Sequence, residues 1–535
     1  MSSPESRNSA DEQGQDRDPR APKGSEGPGG PEGPEEPRGP EGPERSKGSA
    51  GKRGQEGAPG RRGCLGGLLR VLVRWGLPLL VLYMAAGYLT TAIRRVEDVQ
   101  PASAPRVPLP SRVGPLLTGV YSVHTGRSHD ALGSREQVAS AAREAGLDFV
   151  VVGDHPRDDR RPDWRIWEPR FLEGVLVVGG QELRSPRAGK VLALGVDSTY
   201  KRWQGEYDSF LAFLEREEAT AFVVHGRGPR ESERWVQPTV EGMHGWEILD
   251  ISEFARHRLE GPWNVYHLIT LLGGLPFGWG DEALLHTLRE GFDTPSVAAY
   301  DSLRLSQELT ATAGLNVHPK MEVGPLLFPP YGPFFRTLRA HVTVPGAGLP
   351  ALPSDPERAR DLVARVSRAG NLFLALGDDP GASRFRFAAV QDGGEVEGSG
   401  DDVRDAGDET GPDDASGVVR MGGAGPFRPG ASVLRAGFAH GEEAGETARL
   451  GRAGPRENAH GDPGSRLLYR VVRNGVDVAW FAGAELEWPV PDPGVYRVEV
   501  YRYTARIGAT FFRLRPWIFS NPLELTGESP VAVLP

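Results

Sequence analysis

Between Leu117 and His318 the chain repeats one unit, an apolar run too short for a helix that is closed by a histidine or an acid. LTGVYSVHT ends on His124, DFVVVGDH on Asp154 and His155, GVLVVGGQE on Glu182, TAFVVHG on His225, and TATAGLNVH on Asn316 and His318. KVLALGV and GWEILD are further runs of the same kind. Near-continuous apolar runs of this length read as strands buried on both faces. Helical patterns separate several of them. SREQVASAAREAG places Ser134 three residues before Gln137, a capping-box spacing, and Gly146 ends the helix; YDSFLAFLEREE is a second amphipathic pattern. Strand–helix alternation predicts an α/β fold with a parallel sheet or barrel. In a parallel barrel the C-terminal strand ends share one mouth, so these histidines and acids would converge there.

The convergence suggests a metal site. Imidazole and carboxylate without thiolate suit a divalent ion such as Zn, Mn or Fe. Cys64 is the single cysteine, which excludes an intrachain disulfide framework and any multi-cysteine zinc or iron–sulfur centre. The net charge of −10 argues against a broad basic nucleic-acid surface, so no nucleic-acid partner is expected. There is no G-x-x-x-x-G-K-[ST] phosphate loop and no G-x-S-x-G elbow, and HGRG at 225–228 lacks nucleotide-fold spacing. Trp164, Trp167, Trp203 and Trp235 could line a ligand groove, but core packing is the commoner use of tryptophan.

The 535 residues leave room for two or three domains. Residues 1–63 form a Pro/Gly/Glu-rich tail with too little apolar surface to offset its ordering entropy, and disorder is expected. Residues 64–95 are read as a transmembrane anchor. Trp75 to Ile93 carries no charge and is long enough to cross a bilayer, making a lipid bilayer the partner of residues 75–93. Arg61, Arg62, Arg70 and Arg74 on one side balance Arg94, Arg95, Arg106 and Arg112 on the other. Lys52 and Arg53 tip the count towards an inside N-terminus, a single-pass topology and an extracytoplasmic globular part. Residues 96–115 read as a stiff Pro-rich linker.

The barrel is expected over 116–340, with an associated helix and strand over 341–390. Residues 391–465, rich in Gly, Asp and Glu, read as a disordered insertion that includes His440 and His460. Residues 466–535 show strand alternation and an Asn474-Gly475 hairpin signal, predicting a small antiparallel β domain, a sheet or sandwich.

The order YSVHTGRSHD, helix, AGLDFVVVGDH, GGQEL, AFVVHG and NVH, over roughly 117–320, resembles the PHP (polymerase and histidinol phosphatase) family. RPWIFSNPLEL near the C-terminus resembles the end of membrane-linked or exported members. The resemblance implies a distorted (βα)7 barrel with up to three metals at the mouth, hydrolysing phosphoesters such as a phosphorylated small molecule. By position it implies metal ligation by His124, His129, His155, Glu182, His225 and His318. Ser122 stands where the family has the first histidine of H-x-H, and Asn316 where it has the aspartate of D-x-H. Hydroxyl and amide are poor substitutes for imidazole and carboxylate, so a site using Ser122, His124, Glu182 and Asn316 would be weakened. One using His129, His155 and His318 would be intact. One using His225 and Glu182 would need closing by His244 or Glu247.

Two functions are then expected. In the first, the chain is a membrane-anchored metal-dependent phosphoesterase, with Asp154 and Glu182 as catalytic carboxylates and Arg127, Arg157, Arg160 or Arg161 offering phosphate contacts. In the second, it is an inactive binding or scaffold protein that keeps a structural metal.

Overall fold

The computed structural model describes residues 72–391, 417–439 and 466–527, apart from 103–108, 110–113, 157–167, 186, 200–206, 229, 262, 275–279, 289–290, 325 and 347–350. The tail of 1–63, the start of the anchor, Trp164, Trp167, Trp203, Arg157, Arg160, Arg161, His440 and His460 therefore lie outside the described residues. Helix α1 (Leu77–Ala92) continues a π-turn at Leu72–Gly76. Over Val73–Thr90 it is long and apolar enough to cross a membrane, and only 6% of that stretch is buried.

Seven strands close into a ring: β1 (Leu116–Val123), β2 (Phe149–Asp154), β3 (Val175–Ser185), β4 (Gly189–Leu194), β5 (Thr220–Val224), β6 (Gly245–Asp250) and β7 (Thr310–Val317). Pairing follows that order and closes from β7 back to β1. The result is a closed barrel of mixed α/β content. It differs from an all-parallel ring at β4, which runs antiparallel to both β3 and β5. Only residues 186–188 join β3 to β4, a hairpin-length link, whereas a parallel return needs a crossover of a dozen residues or more.

Helix α2 (Arg135–Glu144) fills the β1–β2 crossover, and α3 (Tyr207–Arg216) lies in the link between the antiparallel β4 and β5. The capping box forms as its spacing predicts: Ser134 Oγ accepts from Gln137 N at 3.2 Å, and Gln137 Oε1 accepts from Ser134 N at 2.8 Å. The β6–β7 crossover carries α4 (Ile251–Glu260), α5 (Asn264–Gly274), α6 (Gly280–Thr287) and α7 (Pro295–Arg304).

Strand β1 is shared. Its last residues close the barrel, while its first half pairs with β8 (Leu338–Thr343) and opens a second sheet. That sheet continues through β9 (Leu372–Leu376). Facing it is a four-stranded sheet built on β10 (Phe385–Gln391), β11 (Val418–Arg420) and β12 (Ser432–Phe438). The C-terminal strands β13 (Arg466–Arg473), β14 (Val476–Ala482), β15 (Leu486–Pro489), β16 (Gly494–Tyr503) and β17 (Arg515–Ser520) complete both sheets. Their shared core holds Phe373, Leu434, Tyr469, Val498 and Ile518.

Three expected boundaries change. The β domain is not confined to 466–535: the strand expected beside the barrel in 341–390 belongs to the sandwich, as do Phe385–Gln391 and the strands of 417–439 inside the expected insertion. Averaged over 391–465 the composition is that of a loop, but GVVRM and ASVLRAGF are two apolar alternations embedded in it. The end of the expected anchor and the expected linker are also partly built in. The helix stops at Ala92 and Ile93–Arg95, from the anchor, pairs with Thr510–Phe512; in the linker Val96 is buried and Val99–Pro101 pairs with β14. The β-branched residues Ile93, Val96 and Val99 recur every third position, which the proline-rich composition obscures.

Asn521, from the NPLEL segment, ties barrel to sandwich. Its Oδ1 accepts from Ala311 N at 2.7 Å, and its Nδ2 donates to Ala311 O and Leu372 O, both at 3.0 Å. Asn521→Ala leaves Ala311 N and O unpaired, while Leu372 O keeps the bond from Asn521 N at 3.3 Å, so the cost is about 2–4 kcal/mol. A lowered urea midpoint with an unchanged slope is the expected measurement.

Asp148 gives a pH signature. Burial raises its carboxyl, against the hydrogen bond its Oδ2 accepts from Thr118 N at 2.7 Å, to about 6. A carboxyl raised in the folded state binds its proton more tightly there. Stability is therefore greatest below the unfolded value near 4 and falls as pH rises through 6. Asp148→Asn keeps an acceptor for Thr118 and should stabilise the chain by about 1–3 kcal/mol at pH 7 but not at pH 4, by thermal unfolding.

Candidate metal centre

At the barrel mouth two groups of ligand atoms converge. His124, Asp130, His155 and His318 form one, and His225, Glu247 and Asp250 the other, each with ligand atoms within 4.8 Å of one another. Glu182 stands between them. Its Oε2 lies 3.4 Å from His124 Nε2, while its Oε1 lies 3.7 Å from His155 Nδ1 and 3.9 Å from His225 Nε2.

The first group is stacked. His124 lies on His318 with ring centroids 4.0 Å apart, and His155 tilts against His124 at 4.9 Å. Asp130 Oδ2 is 3.1 Å from His318 Nε2 and 3.6 Å from His155 Nε2. His318 Nδ1 donates to Asn316 O at 2.6 Å, which orients the ring so that Nε2 faces Asp130 and the group. Burial pushes the His124 imidazole down to about 4, so it is a neutral ligand at pH 7. Burial alone would raise Asp130, but hydrogen bonds from His155 and His318 hold it well below the usual carboxylate range.

The second group crowds carboxylates round one imidazole. His225 Nδ1 is 2.9 Å from both Asp250 Oδ2 and Glu253 Oε1. Glu247 Oε1 accepts from His225 N at 3.1 Å. Burial, with Asp250 beside it, pushes Glu247 well above its ordinary value. Burial opposes a charged His225, but Asp250 and Glu253 raise it well above the usual imidazole range. Two buried carboxylates, Glu247 and Asp250, and the part-exposed Glu253 thus share one imidazole, a crowding that a further cation would relieve.

A lysine also enters. Lys190 Nζ is 2.9 Å from Glu182 Oε1 and 3.3 Å from Glu233 Oε1. Burial would raise Glu182, but Lys190 and His155 hold it well below its ordinary value. Lys190 reaches the mouth because β4 is reversed: it opens its strand where the parallel strands close theirs.

The backbone is strained at the same place. Ser122, His225 and Asn316 have φ of 57°, 55° and 45°, left-handed values that cost roughly 1–3 kcal/mol for such residues. Ser122 and Asn316 sit where the β1–β2 and β7–β1 registers skip, so a bulge turns each residue off the regular pleat. The Ser122 hydroxyl and both Asn316 amide atoms are buried without a hydrogen-bond partner among the described residues. A Cβ on Gly314 would meet Glu247 Oε2 at 1.9 Å and Asn316 Nδ2 at 3.0 Å, so glycine there admits both side chains.

The residues expected from sequence distribute as follows. His124, His155, His318, Glu182 and His225 are brought together. His129 is exposed, its ring 5.2 Å from His155, and its neighbour Asp130 supplies the convergent atom instead. Glu247 closes the second group; His244 does not, because its Nδ1 accepts from Ala221 N at 3.1 Å. Asp154 accepts from Thr125 N at 2.7 Å and from Thr125 Oγ1 at 2.5 Å, a bracing role for the turn after His124. Trp235 is buried, with Nε1 on Thr239 O, and lines no groove. Asp130, Lys190, Asp250 and Glu253 were not expected. An acid beside an assigned histidine or at a strand end was the available signal for two of them, Asp130 and Asp250.

No family model matches the chain, and no curated protein does. Among solved structures, a two-domain protein from Bacteroides vulgatus ATCC 8482, described as containing a predicted PHP-like metal-dependent phosphoesterase, is 10% identical. The match covers 80% of this chain and 100% of that one, with a TM-score of 0.31. PsfC from Pseudomonas syringae PB-5123 is 14% identical over 48% of this chain and 98% of its own, TM-score 0.25. Endonuclease Q, in complex with a 27-mer duplex carrying an abasic lesion, is 14% identical over 28% and 47%, TM-score 0.18. No function is carried over at such distances. The class is defined by the chain's own features: a seven-strand ring with histidines and acids at one mouth, in the motif order that resembles the PHP family.

Proposed function

We propose that this chain is a metal-dependent phosphoesterase of PHP type, anchored in a membrane through α1 with its globular part on the extracytoplasmic side. The observation that carries the catalytic reading is the position of Glu182, one buried carboxylate between two ligand groups. The donor set fits divalent ions: both His124 nitrogens are buried without a regular hydrogen bond among the described residues, and the second group gathers three carboxylates round His225. Zn, Mn or Fe bound there would supply Lewis acidity and positive charge for a phosphoryl group.

The remaining work falls to the chain itself. Asn316 O orients His318, and Asp250 with Glu253 orients His225. Asp154 holds the turn that carries the half-buried Arg127, the proposed contact for a phosphate oxygen. A phosphorylated small molecule is the substrate class proposed.

A second reading is favoured by one observation. Lys190 already gives Glu182 a cationic partner, and Ser122 and Asn316 weaken the adjoining position, as in an inactive binding protein with a structural ion. The test is turnover of chromogenic phosphomonoesters and phosphodiesters by the full chain in detergent with Mn, Zn or Fe(II). Turnover abolished by chelator and by Glu182→Gln supports the enzyme; bound metal without turnover under any of the three supports the binding protein.

A further inference from the structure

We infer that α5 is a second membrane element, lying among lipid acyl chains beside α1. The inference rests on the proposal that α1 spans a bilayer.

Helix α5 is inverted relative to an ordinary surface helix. Its exposed residues include Val265, Leu268, Ile269 and Leu272, at 45%, 41%, 40% and 56% exposure. Their spacing of i, i+3, i+4 and i+7 makes one continuous apolar stripe. The inward side holds Tyr266, His267 and Leu271, with the Tyr266 hydroxyl 2.5 Å from His286 Nε2. From Gly261 to Gly280 the chain carries no Asp, Glu, Lys or Arg. Length excludes a full crossing, because the 11 residues of α5 rise about 16 Å, roughly half a bilayer core. Such a segment suits an interfacial or re-entrant helix.

Its contact with α1 sets the depth. The Tyr83 and Trp263 rings lie 5.1 Å apart, and a Cβ on Gly87 would meet the Tyr266 ring at 2.9 Å. Glycine at 87 therefore allows the two helices to touch closely. If Val73 to Thr90 fills the apolar layer, Tyr83 and Gly87 lie about 10 and 5 Å inside its boundary at 1.5 Å per residue. The first half of α5 packs on those residues, so its outer stripe meets acyl chains rather than water. Arg256 and His257 precede the uncharged stretch, where headgroup contacts would lie. The same crossover begins with Asp250 and Glu253, so lipid seats the segment that carries part of the second ligand group.

The test uses the full chain with Cys64→Ser, one new cysteine carrying an NBD fluorophore, and phosphatidylcholine vesicles bearing nitroxide-labelled acyl chains. Probes at Leu268→Cys and Leu272→Cys should be quenched as strongly as one at Leu80→Cys in α1, and shielded from aqueous iodide. Quenching at residue 80 without quenching at 268 and 272 overturns the inference and leaves the anchor standing; self-quenching at 268 that depends on protein density would then mark a second copy as the occupant. No quenching at residue 80 overturns the anchor, and this inference with it.

Discussion

Replacing Glu182 by glutamine is expected to release bound metal and to destabilise the fold together. The carboxylate serves His124, His155 and His225 from one position and neutralises Lys190 at 2.9 Å. Glutamine keeps the volume and removes the charge. Lys190 then retains only Glu233 at 3.3 Å, in a site where its side chain is 12% exposed. Breaking one half of a buried pair costs about 3–5 kcal/mol, because the remaining charge stays desolvated. Urea unfolding of chelator-treated protein isolates that loss from the metal contribution. The double variant Glu182→Gln, Lys190→Met removes both charges and should recover most of the stability while remaining unable to retain metal. A Glu182→Gln protein as stable as the parent and equally metal-loaded would show that Glu182 is not the link between the groups.

Glu247→Gln should act with opposite signs in the two states of the protein. Without metal, Glu247, Asp250 and Glu253 crowd one imidazole, and burial together with Asp250 pushes Glu247 well above its ordinary value. Glutamine relieves the repulsion and keeps an Oε1 acceptor for His225 N. The chelated protein should therefore gain about 1–3 kcal/mol. With metal, the lost ligand weakens binding, and stabilisation by RT ln(1 + [M]/Kd) shrinks accordingly. Thermal unfolding at pH 7, with chelator and then with a metal series, reads both effects. An equal loss of stability in both conditions would make Glu247 a purely structural acid.

Much of the ring and half of the site were legible in the chain because strand ends are local. His124, His155, His225 and His318 each follow an apolar run directly, so the runs alone place them at one mouth. Lys190 was not legible, since its arrival depends on β4 running backwards, and the cue was only a three-residue link after Ser185. Asp250 was hidden by a double role. One carboxylate oxygen caps α4, accepting from Ser252 N at 2.7 Å and Glu253 N at 3.2 Å, and the other reaches His225. Asp130 lost out to His129 because two adjacent residues both fit the spacing, and only the turn braced by Asp154 decides which points inward. The sandwich escaped because its strands are scattered on both sides of loop-like sequence, and register with distant strands is not encoded locally.

The most direct test of the central claim, that the mouth is a metal centre, is elemental analysis of the full chain purified in detergent without chelator. The account predicts at least one equivalent of Zn, Mn or Fe per chain, reduced by His318→Ala, by Asp250→Asn and most of all by Glu182→Gln. Protein that is folded, free of metal and unable to take up any of the three on dialysis would contradict it.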